Sequence, residues 1–471
     1  MNNIDSPKSM LSNLFGFSIG PAFSALIGFI SVPISSWLVR PEEFGISSMY
    51  SLFVSLGYVL VSFGMDHAFI REYNGTKEKH DLFTNVILFP LLFSFVLAAL
   101  ILSNYEKVTE AVFSYSSFLL GFLLSLGIAL TVINNFFSFL LRMQENAKAY
   151  STKIVINRTV YLICLLLFLL FYKKSGESII LAIVVSEIVN TIVLVSSNPK
   201  FLKIKLSSID IIILKKCIKY GLPAVPAFFL TWAFNSTDKV MIRSFSSLQE
   251  LGIYAASFKI VSVVTIIQTA FSTYWLPTSF RWYEANVDNI KYYKVSKYIT
   301  AILIVIAALV VILRPIITII LSPEYRDSGI ISVFLIFTPV LSTISYTTVS
   351  GIDFKRKTYF HLIIAIAAFS VNFILNWFLI PVYGALGAAI ATSISSVSFF
   401  WMKTLISRKL WWPFPIHYYM INIILLYTTT CIALSGFGII YELILFVMII
   451  SYNYEAIRDL ARKLMISYRR S

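Results

Sequence analysis

The sequence predicts an all-α integral membrane protein: two pseudo-symmetric six-helix bundles followed by two further helices, about 14 transmembrane helices in all. Three observations predict it. Hydrophobic residues make up 58% of the 471 positions and charged residues only 13%, against about 45–50% and 25% in water-soluble domains. Apolar runs long enough for a hydrocarbon core of about 30 Å recur along the whole chain. A set of polar and glycine positions in the first half returns in the second at a fixed offset of 207 residues.

The spanning elements are helices, because in lipid only helices and closed barrels satisfy every backbone group. Runs such as Ala301–Ile312 lack the alternation of a barrel strand. The first run, from about Leu11 to Ser36, is too long for a signal-peptide core and carries no small-residue cleavage pattern, so it is read as helix 1. Further helices fall at about 45–68, 82–103, 113–140, 154–172 and 177–196. A second group falls at about 217–241, 251–277, 296–321, 329–350, 359–381 and 384–405, and two more runs at about 416–434 and 436–452. The expected domains are a first bundle over 1–206, a second over 207–409, and the extra helices with a basic tail over 410–471.

Charge placement orients these helices. The net charge of +15 would suggest nucleic acid in a soluble protein, but here the basic residues sit in short breaks between apolar runs. Membrane topology and anionic lipid headgroups account for them, and no nucleic-acid partner is expected. With the N-terminus in the cytoplasm, 29 Lys and Arg lie on the inner side and eight on the outer, with Lys259 within the membrane. A miscounted helix would invert every later loop, so an even count with both termini cytoplasmic is expected. The external breaks are short and leave no room for an external catalytic domain. Cys164, Cys217 and Cys431 lie far apart without metal or redox spacing, so no disulfide, metal or cofactor is expected.

The repeat is read from Glu43-Phe44-Gly45-Ile46-Ser47 after helix 1 and Glu250-Leu251-Gly252-Ile253-Tyr254 after helix 7. In helix 2, Ser55, Tyr58, Ser62 and Asp66 recur on one helical face, and their counterparts in helix 8 are Ser262, Thr265, Thr269 and Thr273. Ser24, Gly28 and Ser31 match Thr231, Asn235 and Asp238. Each half holds an even number of helices, so the repeats are parallel, with a substrate cavity expected between bundles. Ser55, Tyr58, Ser62, Ser262, Thr265 and Thr269 are its expected lining, although helical hydroxyls also serve as plain helix–helix glue.

These residues carry a resemblance. Leu38-Val39-Arg40-Pro41-Glu42-Glu43-Phe44-Gly45-Ile46 and Phe63-Gly64-Met65-Asp66-His67-Ala68-Phe69-Ile70-Arg71 resemble the segments around the first two helices of polysaccharide-exporting flippases. Tyr220-Gly221-Leu222-Pro223, Asp238-Lys239-Val240, Gly252-Ile253-Tyr254 and Pro277 continue the match. So do Asn372, Asn376, Ile380-Pro381-Val382-Tyr383-Gly384 and Gly387-Ala388-Ala389. Over about residues 10–405 the chain is similar to Wzx-type O-antigen or polysaccharide-repeat flippases of the multidrug/oligosaccharidyl-lipid/polysaccharide (MOP) exporter superfamily, with a MATE/MOP-like fold. The resemblance implies two bundles alternating between inward- and outward-open states in the cell inner membrane. It implies an undecaprenyl-diphosphate-linked oligosaccharide as cargo, moved to the outer leaflet for lipopolysaccharide or related surface polysaccharide. Implied partners are membrane lipids, a polysaccharide polymerase and chain-length proteins.

Several charges fit such cargo, since burying a diphosphate without partners is costly. Lys259 lies within helix 8 on the polar stripe, and an ionised group at depth costs about 2.5–3.5 kcal/mol on insertion scales. It either faces a cavity or snorkels to the outer interface. Arg40, Arg71, Lys239, Arg243 and Arg314 are the other candidate cargo-binding cations, with headgroup contact as the alternative for those at interfaces. Asp66, Glu187 and Asp238 are candidate coupling or gating residues; Glu187, in the middle of helix 6, is either a protonatable coupling group or an acid held by a structural partner. Three alternatives share the membrane setting. A peptidoglycan-precursor flippase is not separated by physics alone. A MATE-like multidrug or cation exporter expects an acidic cavity, whereas the candidates here are net basic. A membrane polysaccharide polymerase or glycosyltransferase requires the large external loop that this chain lacks. No Gly-rich phosphate loop or catalytic metal motif is present.

Overall fold

The computed structural model describes the backbone of residues 7–201 and 210–468 and the side chains of residues 19–201 and 210–463. The boundary expected at 206/207 and the side chains of Lys8, Lys203 and Lys205 lie outside the described residues. The described elements are all helical. They run α1 (Pro7–Leu38), α2 (Pro41–Ser62), α3 (Met65–Tyr73), α4 (Lys79–Ser103), α5 (Tyr105–Phe113), α6 (Phe118–Met143), α7 (Ala147–Phe171) and α8 (Gly176–Ser197). There follow α9 (Ile211–Gly221), α10 (Val225–Phe245), α11 (Leu248–Val261), α12 (Val264–Glu284), α13 (Asn289–Ile312) and α14 (Arg314–Ile320). The last are α15 (Ser328–Leu335), α16 (Phe337–Thr348), α17 (Ser350–Phe354), α18 (Tyr359–Leu410), α19 (His417–Ser435) and α20 (Ile439–Tyr468).

Among the described residues, 12 helical stretches are long and apolar enough to cross a membrane, two of them joined from successive elements (Ile211–Phe245 from α9 and α10, Pro323–Thr348 from α15 and α16), and the pair α11–α12, bent by 48°, makes 13. The 52 residues of α18 would span about 78 Å, more than twice a hydrocarbon core. Gly384, with φ 54° and ψ −131°, divides it into helices over 359–383 and 385–410. Resolving that element into two spans brings the tally to the fourteen expected. Leu92, Phe95, Leu170 and Phe171 are each more than half exposed, a pattern that lipid tolerates and water does not.

Two of the breaks in the expected helices fall on the polar stripes. The helix expected at about 45–68 begins at Pro41, whose fixed φ suits the first turn, with Glu42 and Glu43 at its positive end. It stops at Ser62, because Phe63 (φ 47°) and Gly64 (φ 69°) are left-handed, and α3 then restarts the helix. A Cβ on Gly64 would stand 2.5 Å from the carbonyl oxygen of Gly221, so both the turn and the close approach require glycine. The helix expected at about 251–277 breaks at Ser262–Val263. There the Ser262 hydroxyl donates to the Lys259 carbonyl at 2.5 Å, and the amides of Thr265 and Ile266 bond three residues back rather than four. Hydroxyls that compete for backbone carbonyls bend helices in this way.

The chain divides into two compact units, Met1–Arg243 with Ser247–Ala255, and Ser244–Ser246 with Ala256–Ser471. In the first, α1 packs on α7, α7 on α8, and α6 on both α4 and α8, while α2 lies against α6 and α8. Within the same unit the repeat-related glycines Gly45 and Gly252 mark a crossing. A Cβ on Gly45 would lie 2.1 Å from the Leu248 carbonyl oxygen, and one on Gly252 would lie 1.7 Å from that of Pro41. In the second unit Trp275, Tyr292 and Phe354 form a buried aromatic cluster. The last two helices are keyed to α13: Tyr419 donates to Ser296 Oγ at 2.7 Å, Tyr418 bonds Asn453, and Asn453 donates to Asn422 Oδ1 at 2.7 Å.

Candidate functional site

The richest polar constellation lies in the first unit, where α1, α6, α7 and α8 meet. It begins with Glu187, roughly halfway along α8. Its Oε2 accepts from Asn134 Nδ2 at 2.5 Å and its Oε1 from Asn157 Nδ2 at 3.2 Å. The same amides clamp the backbone of α8, Asn134 donating to the Glu187 carbonyl and Asn157 to that of Ser186, both at 3.2 Å. Thr191 donates to Asn134 Oδ1 at 3.0 Å. Three helices are thereby fixed around one carboxylate. Lys153 faces the same space, its Nζ bonded to Ser138 Oγ.

Glu187, Asn134, Asn157 and Lys153 line a cavity of about 350 Å³ that also includes Ser24, Asn135, Arg158 and Asn190. Arg158 changes the reading of this region. The expected helix began at about 154, and the count of basic residues placed Lys153 and Arg158 on the inner side. The observed helix begins at Ala147, where Asn146 caps it by accepting from the Ala149 amide at 3.0 Å. Arg158 therefore stands next to the midpoint of a 25-residue span, about 17 Å from its start. Its Nε donates to Ser24 Oγ at 2.8 Å.

The expected site residues fall into separate clusters. Near the α2–α3 elbow, Tyr58 donates to Asp66 Oδ2 at 2.8 Å, although the left-handed break removes Asp66 from the helix that bears Ser55, Tyr58 and Ser62. Trp232 Nε1 donates to Ser55 Oγ at 3.0 Å, and the Ser62 hydroxyl turns back to the Val59 carbonyl. The Arg71 guanidinium lies 4.8 Å from the Tyr220 ring centroid, and Lys216 pairs with Glu72 at 2.5 Å. Toward the other end of α10, Tyr254 donates to Asp238 Oδ2 at 2.6 Å, Arg243 bonds Ser114 Oγ, and Lys239 is half-buried. Arg40 is exposed at the start of α2. Between α5 and α6, burial and the carboxylates of Glu177 and Glu43 push the Tyr115 hydroxyl above its usual pKa range.

In the second unit Lys259 occupies the last turn of α11, just before the bend. The hydroxyls of Thr265 and Thr269 return to the carbonyls of Ser262 and Thr265, at 2.5 and 2.9 Å. Arg314 is taken up by a bidentate pair with Glu442. A larger groove of about 680 Å³, lined by Val397, Trp401, Leu405, Met420, Ile424 and Tyr427, is nearly all apolar. It suits hydrocarbon and offers nothing to a phosphate.

The sequence reading missed Asn134, Asn157, Asn190, Arg158 and Glu442. A usable signal for the first four was amides and a guanidinium interrupting apolar runs, as in Asn134-Asn135 and Asn157-Arg158.

Residues 34–329 match the model of a family described as polysaccharide biosynthesis protein. No curated protein matches the chain by sequence. Among solved structures, "Lipid II flippase MurJ, inward closed conformation" aligns with a TM-score of 0.73 at 18% identity, covering 95% of this chain and 99% of that one. An inward-facing multidrug resistance MATE transporter of the MOP superfamily aligns with a TM-score of 0.56 at 17% identity, over 84% of this chain and 93% of its own. An outward-facing MATE transporter of that superfamily gives 0.53 at 14%, over 86% and 95%. The chain shares the fold of these transporters, as the sequence led one to expect.

Proposed function

The chain belongs to the polysaccharide biosynthesis protein family, and we propose from that premise that it is a flippase for an undecaprenyl-diphosphate-linked oligosaccharide. The cargo is an O-antigen or related surface-polysaccharide repeat unit, carried from the cytoplasmic to the outer leaflet by alternating access. The observation that carries this reading is the polar pocket at membrane depth, with Arg158 and Lys153 among amides. Such groups are expensive in lipid and mark the path of polar cargo. A membrane polysaccharide polymerase or glycosyltransferase would need a large external loop, and the chain is read as a transporter.

Lys259, Arg40, Arg71, Lys239 and Arg243 are proposed to meet the diphosphate along the route, with Arg314 serving only where Glu442 releases it. Glu187, Asp66 and Asp238 are the proposed coupling or gating acids. Bundles over 1–206 and 207–409 and extra helices over 410–471 are the proposed working parts, in the inner membrane with both termini cytoplasmic. The apolar groove beside α19 supports a lipid-linked substrate, and a polymerase and chain-length proteins are proposed partners downstream.

One observation favours a second reading: the lipid II flippase likeness extends over 95% of this chain, so peptidoglycan precursor is the competing cargo. Deleting the gene and assaying both pathways separates them. Loss of surface polysaccharide, with lipid-linked repeat units trapped in the inner leaflet and normal cell-wall synthesis, is the expected result. Rescue of a lipid II flippase deficiency by this chain would favour the second reading.

A further inference from the structure

Two groups in the first-unit pocket, the exposed Arg158 and the buried Asn190, lack the partners that their places call for. Arg158 makes one hydrogen bond, to Ser24, and no ion pair among the described residues. A guanidinium has five donors and keeps its charge at any pH the membrane meets. Halfway through a span it calls for a counter-ion, because an unpaired charge there is costly. Asn190 Oδ1 is the second. Its residue is only 4% exposed, lines the pocket, and the oxygen has no hydrogen-bond partner. Leaving such an acceptor unmet costs about 1–3 kcal/mol.

The two deficits differ in chemistry. Arg158 lacks an anion, and Asn190 Oδ1 lacks an O–H or N–H donor. Glu187 answers neither, since both of its oxygens accept from Asn134 and Asn157, and Lys153 on the same wall offsets its charge. The cavity of about 350 Å³ lies within the usual 300–1,000 Å³ of small-molecule sites. Amides donate and accept, which suits ring hydroxyls, whereas a bare phosphate accepts but supplies no donor to Asn190.

We propose that this pocket is a subsite for an acidic sugar of the cargo, with the sugar carboxylate on Arg158 and a ring hydroxyl donating to Asn190 Oδ1. The inference rests on the lipid-linked oligosaccharide reading and narrows it to glycans that contain a uronic or similar acid.

The test uses the full chain in lipid nanodiscs with glucuronate as probe, followed by saturation-transfer NMR. Glucuronate should bind and glucose should bind much more weakly. Arg158→Gln should weaken glucuronate by about tenfold or more, as expected for loss of a charge-assisted hydrogen bond. Arg158→Lys should keep part of the affinity, and Asn190→Leu should reduce it with Arg158 intact. Melting temperatures and membrane levels confirm that each variant is folded. Equal binding of glucose and glucuronate, or glucuronate binding unaffected by Arg158→Gln in a folded protein, would overturn the proposal. Displacement of glucuronate by pyrophosphate at lower concentration would also overturn it and reassign the pocket to the diphosphate. A parallel proteoliposome assay follows a lipid-linked oligosaccharide. Transport that persists without Arg158-dependent glucuronate binding sinks the subsite and leaves the flippase reading standing. Arg158-dependent binding without any transport does the reverse.

Discussion

Arg314, at the start of α14, holds both carboxylate oxygens of Glu442 in α20, the Nη2–Oε1 bond measuring 2.8 Å. The same guanidinium reaches the carbonyls of Val311 at 3.0 Å and Ala433 at 3.4 Å. Glu442 is 1% exposed and Arg314 19%, so the pair is largely desolvated. Removing one partner of a buried pair leaves the other charge stranded, at about 3–5 kcal/mol, whereas replacing both by apolar groups is often neutral. Glu442→Gln should therefore lower the melting temperature in detergent, and Arg314→Leu with Glu442→Leu should recover most of the loss. If Arg314 instead serves cargo, Glu442→Gln will leave stability unchanged and the double variant will lose transport.

Gly45 and Gly252 allow a different test. The Cβ overlaps of 2.1 and 1.7 Å are with backbone carbonyls, which cannot swing aside as a side chain can. Gly252→Ala should force the first turns of α2 and α11 apart and raise labelling of a cysteine placed at Arg40. Gly28→Ala is the control, because nothing lies within 4 Å of a Cβ there. It should be neutral or stabilising by up to about 1 kcal/mol through helix propensity. Equal effects from the two would show that the crossing is not tight.

Much of this fold was legible because apolar length is a strong signal, and each expected span has its helix. The breaks were less so. Phe63-Gly64 reads as an ordinary pair in an apolar run, and its left-handed turn follows from contact with Gly221, far away in sequence. Arg158 was misplaced because lysines and an arginine near a helix start look like loop, and the Asn146 cap that extends the helix is a local, weak mark. Glu442 sits 128 residues from Arg314, and no spacing rule joins them. The amides around Glu187 belong to three helices, so only packing could reveal that they converge.

Glu187 can be tested through that convergence. Glu187→Gln replaces one acceptor oxygen by a donor that faces an Asn amide, yet both Asn134 and Asn157 can flip to suit it. Folding should survive, and transport should lose its response to an imposed ion gradient. A folded variant that responds to proton and sodium gradients as the parent does would return Glu187 to a structural role.

Topology has a direct test. A reporter fused after Ser435 should lie outside the cell and one after Ser471 in the cytoplasm, because Lys and Arg still divide 27 to 8 between the two sides once Lys153 and Arg158, counted inside, are placed at membrane depth. The same side for both would remove one span from the count.

Lys259 carries the last prediction. It sits eleven residues beyond the start of α11, about 17 Å along the helix, which is deeper than a residue two turns into a span. The carbonyl of Lys259 accepts the Ser262 hydroxyl at the bend, so backbone geometry and ammonium position are linked there. If the ammonium meets the diphosphate, Lys259→Ala should abolish surface polysaccharide while membrane levels of the protein stay normal. Lys259→Arg keeps the charge in a different shape and should retain partial activity. Lys259→Glu should be worse than alanine, because it repels the cargo. A bend disturbed by truncation alone would make Lys259→Met, which keeps the stem's bulk without charge, as active as the parent. Normal export by Lys259→Ala at normal expression would reduce this lysine to a snorkelling side chain and leave the diphosphate to Arg40, Arg71, Lys239 and Arg243.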